Sequence, residues 1–132
     1  MSADIVSTVG DLVTARVTGT LTQNELGALQ KAVGEIIRKQ GRTRLLVLVE
    51  DFAGWETGAT WGDFTFQVHH DASIERMAIV GDKKWADLVL LFTSQGLRPF
   101  PIEYFDAADL AGARAWLDTP AKLRLWAIGD GR

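Results

Sequence analysis

Five consecutive aliphatic residues, Leu45 to Val49, constrain this chain more than any other stretch. No polar residue interrupts them, so a strand built from them must be covered on both faces, as in the interior of a parallel or mixed sheet. Each large side chain contributes about 1.5–3 kcal/mol when fully buried. Two carboxylates and a stretch rich in glycine and tryptophan follow directly, from Glu50 to Trp61. Open α/β sheets bind partners beyond the carboxyl ends of their strands, so the loop expected from Asp51 to Trp61 is the first place to look for function.

The flanking segments supply the rest of such a sheet. Ile5 to Val9 and Leu12 to Thr18 are rich in β-formers and meet at Gly10-Asp11, which predicts an antiparallel hairpin. Thr22 and Glu25 have the spacing of a capping box, with Leu21 and Leu26 at the positions of a hydrophobic staple. The helix they start carries Leu26, Leu29, Val33, Ile36 and Ile37 on one stripe and closes at Gly41. Gly27 and Gly34 each lower its propensity by about 1 kcal/mol relative to alanine, and close backbone packing is the use expected of them.

A second helix is predicted from Thr57 to His70, then a buried strand from Ile74 to Val80 closed by Gly81. Asp82 is expected to cap a helix with Trp85, Leu88, Val89, Leu91 and Phe92 on a wide apolar face, running to Gly96. Pro99 and Pro101 make Ile102 to Phe105 an edge strand, and Asp106 is expected to cap a last helix with Leu110, Ala113 and Leu117 inward. The order β-β-α-β-α-β-α-β-α describes an α/β domain, a mixed sheet of about five strands covered by helices. It occupies residues 1–120, and residues 121–132 are expected to form a loosely attached tail.

At 132 residues one domain suffices. A net charge of -3 gives no electrostatic reason to expect nucleic acid or an anionic membrane as partner. The chain has no cysteine, which excludes disulfides, thiolate metal sites and thiol catalysis. No apolar run approaches the roughly 20 residues of a membrane span, and a cytoplasmic location is expected.

Little in the sequence resembles a catalytic centre. Glu50, Asp51 and Glu56 cluster after the central strand, where a metal or a general base can be placed, but a backbone-tied Asp51 with Glu50 and Glu56 facing water accounts for them better. His69 and His70 are the only histidines; adjacent helical residues diverge by about 100° and do not readily share an ion, so a helix-end role fits better than ligation. Gly54, Gly58 and Gly62 recur every four residues without the Gly-Lys-Ser/Thr ending of a phosphate loop. No serine stands in a Gly-x-Ser-x-Gly elbow. Trp55, outside any helical stripe, is the better binding candidate; Trp61 and Trp85 sit in stripes that suit core packing.

Four passages together resemble the SpoIIAA-like family, STAS-related proteins whose fold is also similar to that of SEC14-type lipid carriers: GDLVTARVTGTLT, RLLVLVEDFAGWETGATWGDF, IERMAIVGDKKW and IEYFDAADLAGARAWL. The resemblance implies a non-catalytic domain without cofactor or metal that binds another protein or a small apolar molecule. The founding antagonists carry a serine, phosphorylated by a partner kinase, at the start of the helix after the central strand. The matching stretch here, Glu56-Thr57-Gly58-Ala59-Thr60, has no serine and offers only Thr57 and Thr60. Three readings result. One is a regulatory domain contacting a partner protein, with possible self-association, through Asp51, Trp55, Glu56, Thr57, Thr60 and Trp61. Another is a carrier or sensor with Trp55, Trp61 and Phe64 around an apolar pocket. The last is an enzyme using Asp51, Glu56 and His70.

Overall fold

A computed structural model describes residues 3–57, 70–93 and 98–118. Its strands are β1 (Ala3–Val9), β2 (Leu12–Leu21), β3 (Thr43–Trp55), β4 (Ile74–Gly81) and β5 (Ile102–Asp106). Its helices are α1 (Gln23–Gln40), α2 (Ala86–Phe92) and α3 (Leu110–Leu117). The sheet runs β1-β2-β3-β4-β5, antiparallel between β1 and β2 and parallel elsewhere, so β3 is central and β5 an edge. Gly10, with φ at +60°, makes the two-residue turn of the hairpin, a conformation that costs glycine little. Most of the helix expected from Thr57 to His70, together with Gly96 and residues 121–132, lies outside the described residues.

The central strand separates two cores. Leu45 packs with Val13, Val33, Ile37, Met77, Ile79 and Val89 on the face covered by α1 and α2. Its neighbour Leu46 points the other way, with Ala78, Val80, Ala113 and Leu117, beneath α3. Thr22 starts α1 as predicted: its Oγ1 accepts from the Glu25 amide at 3.1 Å and donates to Glu25 Oε1 at 2.9 Å. Gly41, at φ +84°, ends it, with its amide donating to the Ile37 carbonyl.

Several expectations are corrected. The segment from Asp51 to Trp55 is not loop but the continuation of β3. Register against β2 slips twice there: Thr18 faces Glu50, Gly19 faces Phe52 and Thr20 faces Gly54. Each slip is a bulge, and Asp51 sits in the first with φ at +50°. Without it, alternation from Val49 would aim Asp51 at the α1 face; the extra residue gives that place to Phe52, which packs into the core there.

Asp82 caps a 3-10 turn over Lys83–Trp85, and α2 begins only at Ala86. The apolar face of α2 is narrower than expected, because Leu88 is 50 % and Leu91 77 % exposed. Asp109, not Asp106, caps α3, accepting from the Gly112 amide at 3.1 Å; Asp106 closes β5. Gly34 is closely packed, since a Cβ there would stand 2.9 Å from His70 Nε2, whereas Gly27 has nothing within 4 Å of that position.

Arg44 and Arg76 are neighbours across β3 and β4 and both reach the carboxyl end of α3. Arg44 donates to Asp11, to Asp118 and to the Leu117 carbonyl at 2.8 Å. Arg76, fully buried, donates to the Trp116 carbonyl at 2.6 Å and lies over that ring at 5.1 Å. Two guanidinium groups thus meet the negative end of the helix dipole.

Candidate functional site

The end of β3 folds against the start of α1. The Glu56 amide donates to the Leu21 carbonyl at 2.9 Å, and Glu56 Oε1 accepts from the Gln23 amide at 2.9 Å. Glu56 therefore does not merely face water: it satisfies one of the free amides of the helix start and places a carboxylate at the positive end of the dipole. This stitching holds Trp55 inward. Its ring meets Phe52 at 5.1 Å and 86°, Trp85 at 5.9 Å and 82°, and Phe92 at 5.1 Å and 34°. Phe52 and Trp85 are themselves in contact at 4.8 Å. Edge-to-face contacts of this kind are each worth about 0.5–1.5 kcal/mol beyond area burial.

Between this aromatic wall, the sheet and α1 lies a cavity of about 280 Å³. Val13, Ala15 and Val17 of β2 and Leu45, Val47 and Val49 of β3 form its floor; Leu26, Leu29 and Val33 of α1 and Val89 and Phe92 of α2 form its walls. Polar side chains are few: Gln23, Gln30, Thr93 and Arg98. Arg98 is fixed by Asp71, with Nε to Oδ2 at 2.9 Å and Nη2 to Oδ1 at 2.6 Å. Its Nη1 donates to the Thr93 carbonyl at 3.3 Å and its plane covers Phe100 at 4.8 Å. Trp55 Nε1 is buried and has no hydrogen-bond partner among the described residues.

Of the residues singled out in the sequence, Trp55 lines the cavity and Glu56 anchors its rim. Asp51 is exposed on the bulge and does not line it, and Thr57 is exposed. Thr60, Trp61 and Phe64 lie outside the described residues. Glu56 and His70 are held at opposite parts of α1, at Gln23 and Gly34, eleven residues apart and so separated by roughly 16 Å along the helix. Among the described residues no group of three or more His, Cys, Asp or Glu is placed to hold a metal ion, and no helix is long and apolar enough to cross a membrane.

Sequence reasoning missed Phe52, Arg98 and Asp71. Phe52 was hidden by the bulge. The ion pair joins positions 27 apart that share no motif.

Sheet order, hairpin edge and helices on both faces define an α/β domain of SpoIIAA-like fold. An uncharacterized protein from the DUF3478 family, from Shewanella loihica PV-4, has this fold; the two superpose with a TM-score of 0.60 at 21 % identity, over 87 % of this chain and 91 % of that one. The chain belongs to the SpoIIAA-like family, whose pattern it matches over residues 12–118. Comparison with curated proteins finds no significant match.

Proposed function

We propose that this domain is a non-catalytic binder of a small apolar molecule, held between the sheet and helices α1 and α2. The observation that carries this reading is the cavity itself. Protein interiors pack like organic crystals and keep few voids larger than a water molecule. A volume of about 280 Å³ approaches the smaller ligand pockets and is nearly twice the roughly 150 Å³ that admits benzene. Apolar side chains that line a hollow instead of touching one another forgo contacts that a filled core would make, and a carrier or sensor gives that hollow a use.

The partner-protein reading draws support from Leu88 and Leu91, apolar and exposed on the outer side of the same short helix whose inner side, Val89 and Phe92, lines the cavity. A ligand that repositions α2 would change that outer surface.

The test is occlusion. Ala15 is buried on the cavity floor, and Ala15→Phe places a ring in the space. The variant is expected to fold with stability equal to the parent or above it and to lose binding of prodan, a neutral dye of two fused rings, measured by fluorescence. In a filled core the same change would cost about 1–3 kcal/mol. A destabilised Ala15→Phe, or a parent protein that does not take up the dye, would refute the proposal.

A further inference from the structure

We infer that the molecule held in this cavity is electrically neutral and carries a hydrogen-bond acceptor, such as an alcohol, ketone, ester or amide oxygen on an apolar body, and that the Arg98–Asp71 pair rejects the corresponding carboxylate. The inference rests on the apolar-binder reading above and specifies its ligand class.

Arg98 is the only cation among the described lining residues, and its side chain is 8 % exposed. A guanidinium has five N–H donors. Among the described residues Asp71 takes two, through Nε and Nη2, and the Thr93 carbonyl takes one from Nη1. One N–H on each terminal nitrogen is left over, so the group can still donate to a guest.

Its charge, however, is already spoken for. Asp71 is 12 % exposed and holds Arg98 in a bidentate pair, so the two together are neutral in a low-dielectric wall. A guest carboxylate would leave one uncompensated negative charge there, and burying an unpaired charge is among the costliest arrangements a protein can adopt. A neutral oxygen takes the free N–H without disturbing the balance.

Arg44 offers the contrast within the same chain. It does bind two carboxylates, Asp11 and Asp118, but these are 41 % and 72 % exposed, where water screens the surplus charge. Arg98 has no such relief. Trp55 Nε1, the buried donor without an acceptor among the described residues, belongs to the same lining and likewise matches an acceptor rather than a cation. The cavity volume limits the apolar body to about the size of one or two rings, or a chain of similar volume.

The experiment is displacement of prodan, a neutral dye of two fused rings that carries a ketone, from the full chain by decan-1-ol and by decanoate, which have the same number of carbons. At neutral pH the alcohol is expected to displace the dye at a concentration about tenfold lower than the carboxylate. At mildly acidic pH, where part of the decanoate becomes the neutral acid, its displacing strength should rise in step with that fraction, while the alcohol is unaffected. In Asp71→Asn the compensating charge is gone, and the preference should shrink or reverse in favour of decanoate. Decanoate displacing as well as the alcohol at neutral pH would overturn the inference while leaving the cavity reading standing; so would an unchanged ratio in a folded Asp71→Asn. Should that variant not fold, the parent's neutral-pH ratio and its acid-pH dependence decide by themselves. Failure of the dye to bind, or of decan-1-ol to displace it, would remove the cavity reading and this inference with it.

Discussion

Gly27→Ala and Gly34→Ala form a matched pair whose effects differ in sign. Both replace a glycine inside the same 18-residue helix, so the gain in helix propensity is about 1 kcal/mol in each case. At Gly27 an added methyl group meets nothing within 4 Å, and the gain should be realised in full. At Gly34, which is buried, the methyl carbon would stand 2.9 Å from His70 Nε2, inside the roughly 3.5–4.0 Å at which such atoms attract. The imidazole or the helix must move, at an overpacking cost of about 1–3 kcal/mol, so the net effect runs from nothing to about 2 kcal/mol of destabilisation. Urea unfolding followed by circular dichroism measures both. Gly27→Ala should raise the midpoint at unchanged slope, with a melting temperature about 4 °C higher. Gly34→Ala should leave it level or lower it. Combining Gly34→Ala with His70→Ala should recover stability relative to the sum of the single changes, with a coupling of about 0.5–3 kcal/mol. Equal stabilisation by the two alanines, or no coupling to His70, would refute the packing described for α1.

Four further outcomes follow from contacts elsewhere in the fold. Gly81→Ala would put a methyl carbon 2.6 Å from the Tyr104 hydroxyl, 3.0 Å from Val49 Cβ and 3.2 Å from the Val49 carbonyl oxygen, and should cost about 1–3 kcal/mol in denaturant midpoints. Burial, followed by the carboxylates of Asp82 and Asp106, raises the Tyr104 hydroxyl above its ordinary value of 10.0. The folded state therefore favours the neutral phenol; stability is intact below about pH 10 and is lost as pH rises through the raised value, so stability-versus-pH curves should lose that alkaline fall in Tyr104→Phe. That variant should also lose about 1 kcal/mol at neutral pH with the hydrogen bond to the Asp82 carbonyl. Arg44→Met removes the ties between the hairpin turn and the end of α3, and its cost should be about 1–3 kcal/mol by urea unfolding. Asp71→Asn breaks a more deeply buried pair and should cost more, about 3–5 kcal/mol.

The fold was legible to the extent that it follows from local chemistry. An uninterrupted run from Leu45 to Val49 has to lie between two covered faces, Gly10-Asp11 has to turn, and Thr22 with Glu25 has to start a helix, because each depends on residues a few positions apart. Cap positions were less secure where several acidic residues compete: Asp106 and Asp109 both suit the role, and only the path of the chain after β5 selects Asp109. The exposure of Leu88 and Leu91 was hidden for a related reason, since periodicity marks an apolar face but not how much of it the rest of the chain covers.

The sequence by itself determined the class of domain and its central strand. Only the tertiary structure decided that a bulge at Asp51 turns Phe52 inward, that Glu56 ties Trp55 to the start of α1, and that Arg98 meets Asp71 in the wall of a cavity. The physical reason is range. Capping, turns and amphipathic stripes are settled by neighbours along the chain, whereas strand register, ion pairs and the space left between a sheet and its helices are settled by residues brought together across it.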